Sequence, residues 1–295
     1  MAKEKVAKLR IRKSNHALNR TLAGDMGINI MLLVVGTLMA LPMVYNIMQA
    51  FKPLNEMFLY PPRFFVINPT LKNFTDLFRL MGTSWVPFSR YIFNTAFIAI
   101  AGTFGNVVLS SMAAYSLSKL RYPGRNFLFK MIVYSLMFNS TVTGITSFIV
   151  ITWMGWVDTY WAIIVPAWCS TFGLYLLKQF MEDSVHDEIL ESARLDGASE
   201  FRVMWTIALP MVKPAILTLI IFSFQGLWNT GSSIYVYSEQ LKSFSYAIGQ
   251  VLAGGIARSG AAAASSVIMM SVPILVFVVS QANVIETMSS SGLKG

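Results

Sequence analysis

Apolar residues gather into six long runs: Ile28 to Phe51, Tyr91 to Leu117, Met131 to Trp153, Trp161 to Phe180, Met211 to Trp228 and Ser266 to Ile285. None carries Asp, Glu, Lys, Arg or His near its centre, and each approaches the roughly 20 residues that a helix needs to cross a bilayer. Strands of a membrane barrel would alternate apolar and polar positions over about ten residues. These runs do not alternate, so they predict helices, the other backbone that satisfies its own hydrogen bonds in lipid. The expected fold is an all-α membrane protein with six transmembrane helices. Residues 1–27 form a basic N-terminal segment, 28–285 the six-helix domain and 286–295 a tail.

Composition agrees, since the 295-residue chain is 55% hydrophobic and 13% charged, with a mean hydropathy of +0.57, against about 25% charged residues in soluble domains. The first run follows the basic stretch KEKVAKLRIRKSNHALNR and continues through LMALPMVYNIMQAF. It exceeds the roughly 7 to 15 apolar residues of a secretory signal and predicts a retained anchor. Lys and Arg number 16 in the segments on the N-terminal side of the membrane and 7 on the other, which puts both termini in the cytoplasm. The net charge of +9 gathers at the ends of apolar runs and forms no aromatic-interleaved patch, so nucleic acid is not an expected partner. His16 and His186 stand far apart, so no metal site is expected. Cys169 falls in an apolar run and reads as a buried, inert thiol.

Within the runs, Ala101 with Gly105 and Ser110 with Ala114 have the small-xxx-small spacing that lets helices approach closely. Pro42, Pro166 and Pro273 interrupt three crossings as static kinks or as hinges. Trp153, Trp156, Tyr160 and Trp161 fit an interfacial belt. AGGIARSGAAAASS reads as a flexible or closely packed connection, and YPPRFFVINPT as a turn-rich extended segment.

Charge returns between the fourth and fifth runs, where residues 182–202 hold seven of the fourteen acidic side chains. Ser184 and Asp187 have capping-box spacing, and Val185, Ile189 and Ala193 recur every fourth residue. Glu191 and Arg194 can pair at i,i+3. Gly197 supplies a break, Ser199 caps a second short helix through Trp205, and Phe201 with Trp205 adds an apolar stripe. The result is a helix-turn-helix lying across the cytoplasmic membrane face. It is either a solvated loop or a plug for a soluble partner.

The same segment reads Glu191, Ser192, Ala193, then Gly197 after three residues, then Ile207, Leu209 and Pro210. This resembles the Glu-Ala-Ala, Gly, Ile-x-Leu-Pro signature of permease subunits in ATP-binding-cassette importers, with Ser192 the one departure. RYIFNT, YSLSKLRYPGR, DTYWAIIVP and LWN extend the likeness to carbohydrate-importer permeases of the maltose-transporter inner-subunit type. The resemblance implies that loop 182–209 carries a coupling helix, with Asp196 and Ala198 beside Gly197, that docks in an ATPase subunit. It further implies two ATP-binding-cassette ATPase subunits holding ATP and Mg, a second six-helix permease, an extracellular or periplasmic solute-binding protein and a saccharide substrate. The setting it implies is a bacterial cytoplasmic membrane.

The chain contains no GxxxxGK[ST] phosphate loop, so it is expected to bind no cofactor itself and to be no enzyme, the motor being a separate subunit. The alternative is an ion-coupled secondary transporter, which needs polar or ionisable groups at the midplane. Asn106, Asn139 and Gln225 could contribute polar contacts there. Gln225, Trp228, Asn229, Tyr235 and Tyr237 are candidate contacts along the substrate path, or members of an interfacial belt. Thr230 and Gly231 depart from the family's Trp-Asn-x-Phe run. Five basic residues in the 52–90 loop suit an acidic saccharide or an acidic face of the binding protein.

Overall fold

The computed structural model describes residues 22–82, 85–138, 140–231 and 234–291, with side chains left out at 22–23, 140–142 and 282–291. Most of the basic N-terminal segment, Lys294 and Asn139 lie outside the described residues. Met1–Asn46 and Ile47–Gly295 are two compact units. The described part of the first is the apolar body of α1 (Leu22–Phe51), in which Pro42 sits without ending the helix.

In the second unit the elements continue as α2 (Leu54–Met57), α3 (Lys72–Gly82), α4 (Phe88–Lys119), α5 (Arg125–Ser135), α6 (Ser140–Trp153), α7 (Trp161–Trp168) and α8 (Thr171–Ser184). Then come α9 (Asp187–Leu195), α10 (Glu200–Val203), α11 (Leu209–Met211), α12 (Lys213–Trp228), α13 (Phe244–Leu252) and α14 (Ser259–Ser291). Among the described residues there is no strand. Four helical stretches are long and apolar enough to span a membrane: Gly24–Phe51, Phe88–Lys119, Trp161–Ser184 and Ile256–Gln281. A fifth appears if Glu200–Met211 and Lys213–Trp228, bent by 83°, count as one.

The two remaining expected crossings are shorter than the sequence pattern suggests. α12 has 16 residues, about 24 Å at 1.5 Å per residue, against a hydrocarbon core of about 30 Å. The third expected run divides into α5 and α6 around Leu136–Phe138, within a stretch of sequence, NSTVT, rich in residue types of low helix propensity. Residues 60–70 carry no helix, as their prolines predict, and the order of the 52–90 segment lies on either side of them. Asn73, Leu77 and Met81 form a buried stripe on α3, and buried Glu56 accepts the Ile67 N–H at 2.8 Å. The last helix begins at Ser259 rather than Ser266, because Ala261, Ala262, Ala264 and Ser265 are buried. From Gly260 onward the small-residue tract is closely packed, while residues 253–258 stay exposed.

α4 is the central strut, packed by α7, α8 and α12. Where α7 crosses it, a Cβ on Gly105 would lie 2.1 Å from the Trp168 indole nitrogen, and that indole N–H donates to the Ala101 carbonyl at 3.0 Å. The small-xxx-small spacing therefore seats an aromatic ring. Pro166 lies two residues before α7 ends, and Ser170 restarts the chain by accepting the Gly173 N–H. This break leaves Cys169 exposed, not buried as its neighbours implied. Two hydrophobic clusters flank α4. One gathers Ala114, Tyr115, Leu177 and Leu190 near its C-terminal end, the other Tyr91, Leu77 and Phe244 near its N-terminal end. At 1.5 Å per residue the 32 residues of α4 hold these ends about 48 Å apart.

Candidate functional site

The charged island folds as a hairpin of α9 and α10, and local chemistry explains its shape. α9 ends in a Schellman motif: the Gly197 N–H donates to the Arg194 carbonyl at 3.0 Å and the Ala198 N–H to the Ala193 carbonyl at 3.1 Å. This geometry needs a left-handed residue, and Gly197 has φ +81°. Nothing lies within 4 Å of where its Cβ would stand. The glycine therefore serves the backbone turn, not close packing within the chain. Ser199 then caps α10 by accepting the Arg202 N–H. Beyond it the helix widens into a π turn over Met204–Ala208, with the Leu209 N–H donating to the Met204 carbonyl. Pro210 offers no N–H to the carbonyl four residues back, and the wider turn absorbs that loss. Val212 breaks the helix, so the arm Glu200–Met211 stands 83° from α12.

Polar contacts clamp the hairpin to the spans. The Arg194 guanidinium grips Glu200 through two bonds, at 2.6 and 3.2 Å, and the Tyr115 hydroxyl donates to Glu200 at 2.8 Å. Lys119, ending α4, donates to the Val185 carbonyl at 2.6 Å and to Asp187 at 2.9 Å. The hydrogen bond from Lys119 holds the Asp187 carboxyl below the usual carboxylate range, against a smaller desolvation cost. Leu190, 1% exposed, plugs the cluster beneath.

The structure revises several details read from spacing. Arg194 pairs with Glu200 across the turn, not with Glu191 at i,i+3. Ser184 ends α8 and His186 precedes α9 without a side-chain cap, so no capping box forms. Val185 lies in an extended link, and the four-residue count does not carry across it. Leu190 rather than Ile189 faces inward as a result. Of the coupling candidates, Glu191, Ser192, Asp196 and Gly197 are exposed, Ala193 and Ala198 are half-buried against the core, Ile207 is half-buried, Leu209 is buried and Pro210 is exposed. The apolar side chains that remain outward are Leu195, 89% exposed, with Ile189, Phe201 and Trp205. Spacing did not single out Leu195; its place as the last residue of α9, beside the Gly197 turn, is the signal that could have found it.

The substrate-path candidates do not converge. Trp228 is buried and its indole N–H donates to the Met269 carbonyl at 2.9 Å. Asn229 donates to the Gln225 carbonyl at 2.9 Å. Tyr235 stacks on Phe148, while Tyr237 is exposed. Asn106 forms a buried polar cluster in the spans, donating to Ser223 at 3.1 Å and accepting from Ser110 at 2.9 Å.

Residues of RYIFNT and DTYW instead meet around the 234–243 segment. Asn94 donates to the Gln240 and Lys242 carbonyls, both at 2.8 Å, and accepts from the Tyr160 hydroxyl at 2.7 Å. Asp158 accepts the Tyr237 and Ser238 N–H groups at 2.9 and 2.8 Å and the Ser238 hydroxyl. Those bonds, led by the Ser238 hydroxyl, lower the Asp158 pKa.

Apolar helices long enough to span a membrane, with a clamped charged hairpin turned aside from them, define a polytopic helical membrane protein. The chain belongs to the family described as "Binding-protein-dependent transport system inner membrane component", whose profile matches residues 26–289. It is 35% identical over 218 residues to Protein LplC of Bacillus subtilis (strain 168), covering 72% of this chain and 71% of the relative. To the polygalacturonan/rhamnogalacturonan transport system permease protein YtcP of the same organism it is 29% identical over 213 residues, 72% of each chain. Among solved structures it resembles a chain of a bacterial ABC transporter involved in the import of the acidic polysaccharide alginate. That match has a TM-score of 0.74 at 20% identity and covers 89% of this chain and 98% of the other, and it shows the shared fold.

Proposed function

We propose that this chain is the translocation subunit of an ATP-driven, binding-protein-dependent importer of saccharides, oligosaccharides and acidic ones included. Membership of the transport family supports the importer, and the names of YtcP and of the alginate transporter support the substrate class. Partners are a second six-helix permease, two ATPase subunits that bind ATP and Mg, and a solute-binding protein. In this reading the chain crosses six times, the third crossing being broken at Leu136–Phe138 and the fifth bent at Val212, with both termini in the cytoplasm. Both breaks fall where polar residues or proline weaken the helix. The ion-coupled alternative has no supporting observation, as no apolar run carries a central ionisable residue.

The observation that carries the proposal is the rigid hairpin with its outward apolar rim. Clamped through Arg194, Glu200 and Tyr115, it cannot yield separately from α4, so a push on Leu195, Phe201 and Trp205 moves the strut. Closure of the ATPase pair would press both permeases in this way and rock them between inward and outward openings. The chain supplies the lever and half of the path, while ATP chemistry stays with the partner.

Reconstituted proteoliposomes test this. Uptake of a uronic-acid oligosaccharide should need internal ATP, the ATPase subunits and the external binding protein together. Uptake driven by an ion gradient without ATP would overturn the reading.

A further inference from the structure

At the end of α4 away from the hairpin, α2, α3 and the start of α14 enclose a cleft of about 930 Å³. Lys72, Asp76 and Arg79 line it from α3, and Arg258 from the turn before α14. The spacing 72, 76, 79 places three charged side chains within one narrow arc of the helix, while Leu77 and Met81 are buried and Asn73, also buried, lines the cleft beside them. The cleft thus presents three cations against one carboxylate. Among the described residues none of the four makes an ion pair, and Lys72, Arg79 and Arg258 are exposed.

The frame behind these charges is fixed. Asn73, buried beneath them, donates to the Ala50 and Lys52 carbonyls at 2.8 and 2.7 Å. A Cβ on Gly260 would stand 2.3 Å from the Asn73 amide oxygen, and one on Gly254 would stand 2.2 Å from the Arg258 side chain. α14 therefore presses directly on α3, and the Arg258 stem lies across a glycine that leaves room for it. Cations on a fixed frame, in excess of the one carboxylate among them, attract anions at the membrane surface.

We propose that this cleft receives acidic side chains of the solute-binding protein and steers that protein onto the permease. The inference rests on the importer reading above. A binding protein is the partner that approaches the end of α4 opposite the ATPase hairpin, and a steering role needs exposed charges on a rigid rim, which this cleft has.

The test uses the whole transporter in nanodiscs and its solute-binding protein, purified with and without sugar. Double reversal, Arg79→Glu with Arg258→Glu, should weaken binding of both forms on the order of tenfold and leave basal ATPase activity unchanged. Wild-type affinity should fall from low to high salt, and the variant should lose that dependence. Lys placed at the partner's matching acidic positions should restore binding to the variant. Arg79→Gln with Arg258→Gln serves where the reversal does not assemble, and the wild-type salt dependence is read in any case. Unchanged affinity in the variants, or salt-insensitive wild-type binding, would overturn the proposal. So would a loss confined to the sugar-loaded form with a parallel loss for a free uronic-acid trisaccharide, since the carboxylate would then be the substrate's own. A wild-type transporter that the binding protein neither binds nor stimulates would instead overturn the importer reading, and this inference with it.

Discussion

Gly197 tests the hairpin by backbone conformation alone. Its φ of +81° lies in the left-handed region, and no atom stands within 4 Å of the point where a Cβ would project. A substitution therefore meets no clash inside the chain, and its cost is conformational, about 1–2 kcal/mol for most L residues. Asn tolerates this region better than Ala, and a β-branched residue tolerates it worst. At RT of about 0.6 kcal/mol, a cost of 1–2 kcal/mol opens the Schellman turn roughly 5 to 30 times more often. Amide exchange over residues 187–203 in the assembled transporter reads that opening, and saccharide uptake per ATP reads its consequence. Both should worsen in the order Gly197→Asn, Gly197→Ala, Gly197→Val. Asn is larger than Ala, so a variant series ranked by side-chain size, with Asn worse than Ala, would refute the backbone argument and put the constraint in the docked partner.

Gly105→Ala drives a methyl into the Trp168 ring; overpacking of this kind costs about 1–3 kcal/mol, so thermal unfolding followed by tryptophan fluorescence should shift down, while Gly144→Ala, inside α6 with open space around it, should hold it level or raise it. Asp158 has a lowered pKa because it accepts bonds from Ser238 and Tyr237, so its contribution is present above the unfolded value of about 3.9 and is lost as pH falls through the lower folded value. Protection of the 234–243 amides against exchange should accordingly be flat above about pH 5, fall below about pH 4, and be lowered by Asp158→Asn across the range above that.

The helical character of the spans and the two-helix form of the charged island were legible because each follows from a short-range rule: bulk apolarity over a bilayer's length, and a glycine and a serine at turn positions. Span integrity was less so. Nothing in the hydropathy of Met131 to Trp153 marks the interruption at Leu136–Phe138, because the run stays apolar on average across it. The pairing of Arg194 with Glu200 depends on the turn bringing α10 back onto α9, which spacing along one helix cannot express. Tyr115 joins them from 85 positions away, and that contact exists only in the fold. Cys169 misled for a related reason: its neighbours are apolar, but the break before Ser170 turns it outward. Asn94 and Asp158 lay inside stretches that the family resemblance marked, yet their role as clasps of the 234–243 segment needed coordinates.

The account stands on the hairpin being gripped by a cytoplasmic ATPase. Site-directed cross-linking measures this directly, in a Cys169→Ser background of the assembled complex with single cysteines on the ATPase surface. Leu195→Cys, at a position 89% exposed, should link to the ATPase subunit, and Ala198→Cys, half-buried against the core, should link weakly or not at all. Absence of any product from Leu195→Cys, together with its labelling by a membrane-impermeant thiol reagent added outside sealed cells, would contradict it.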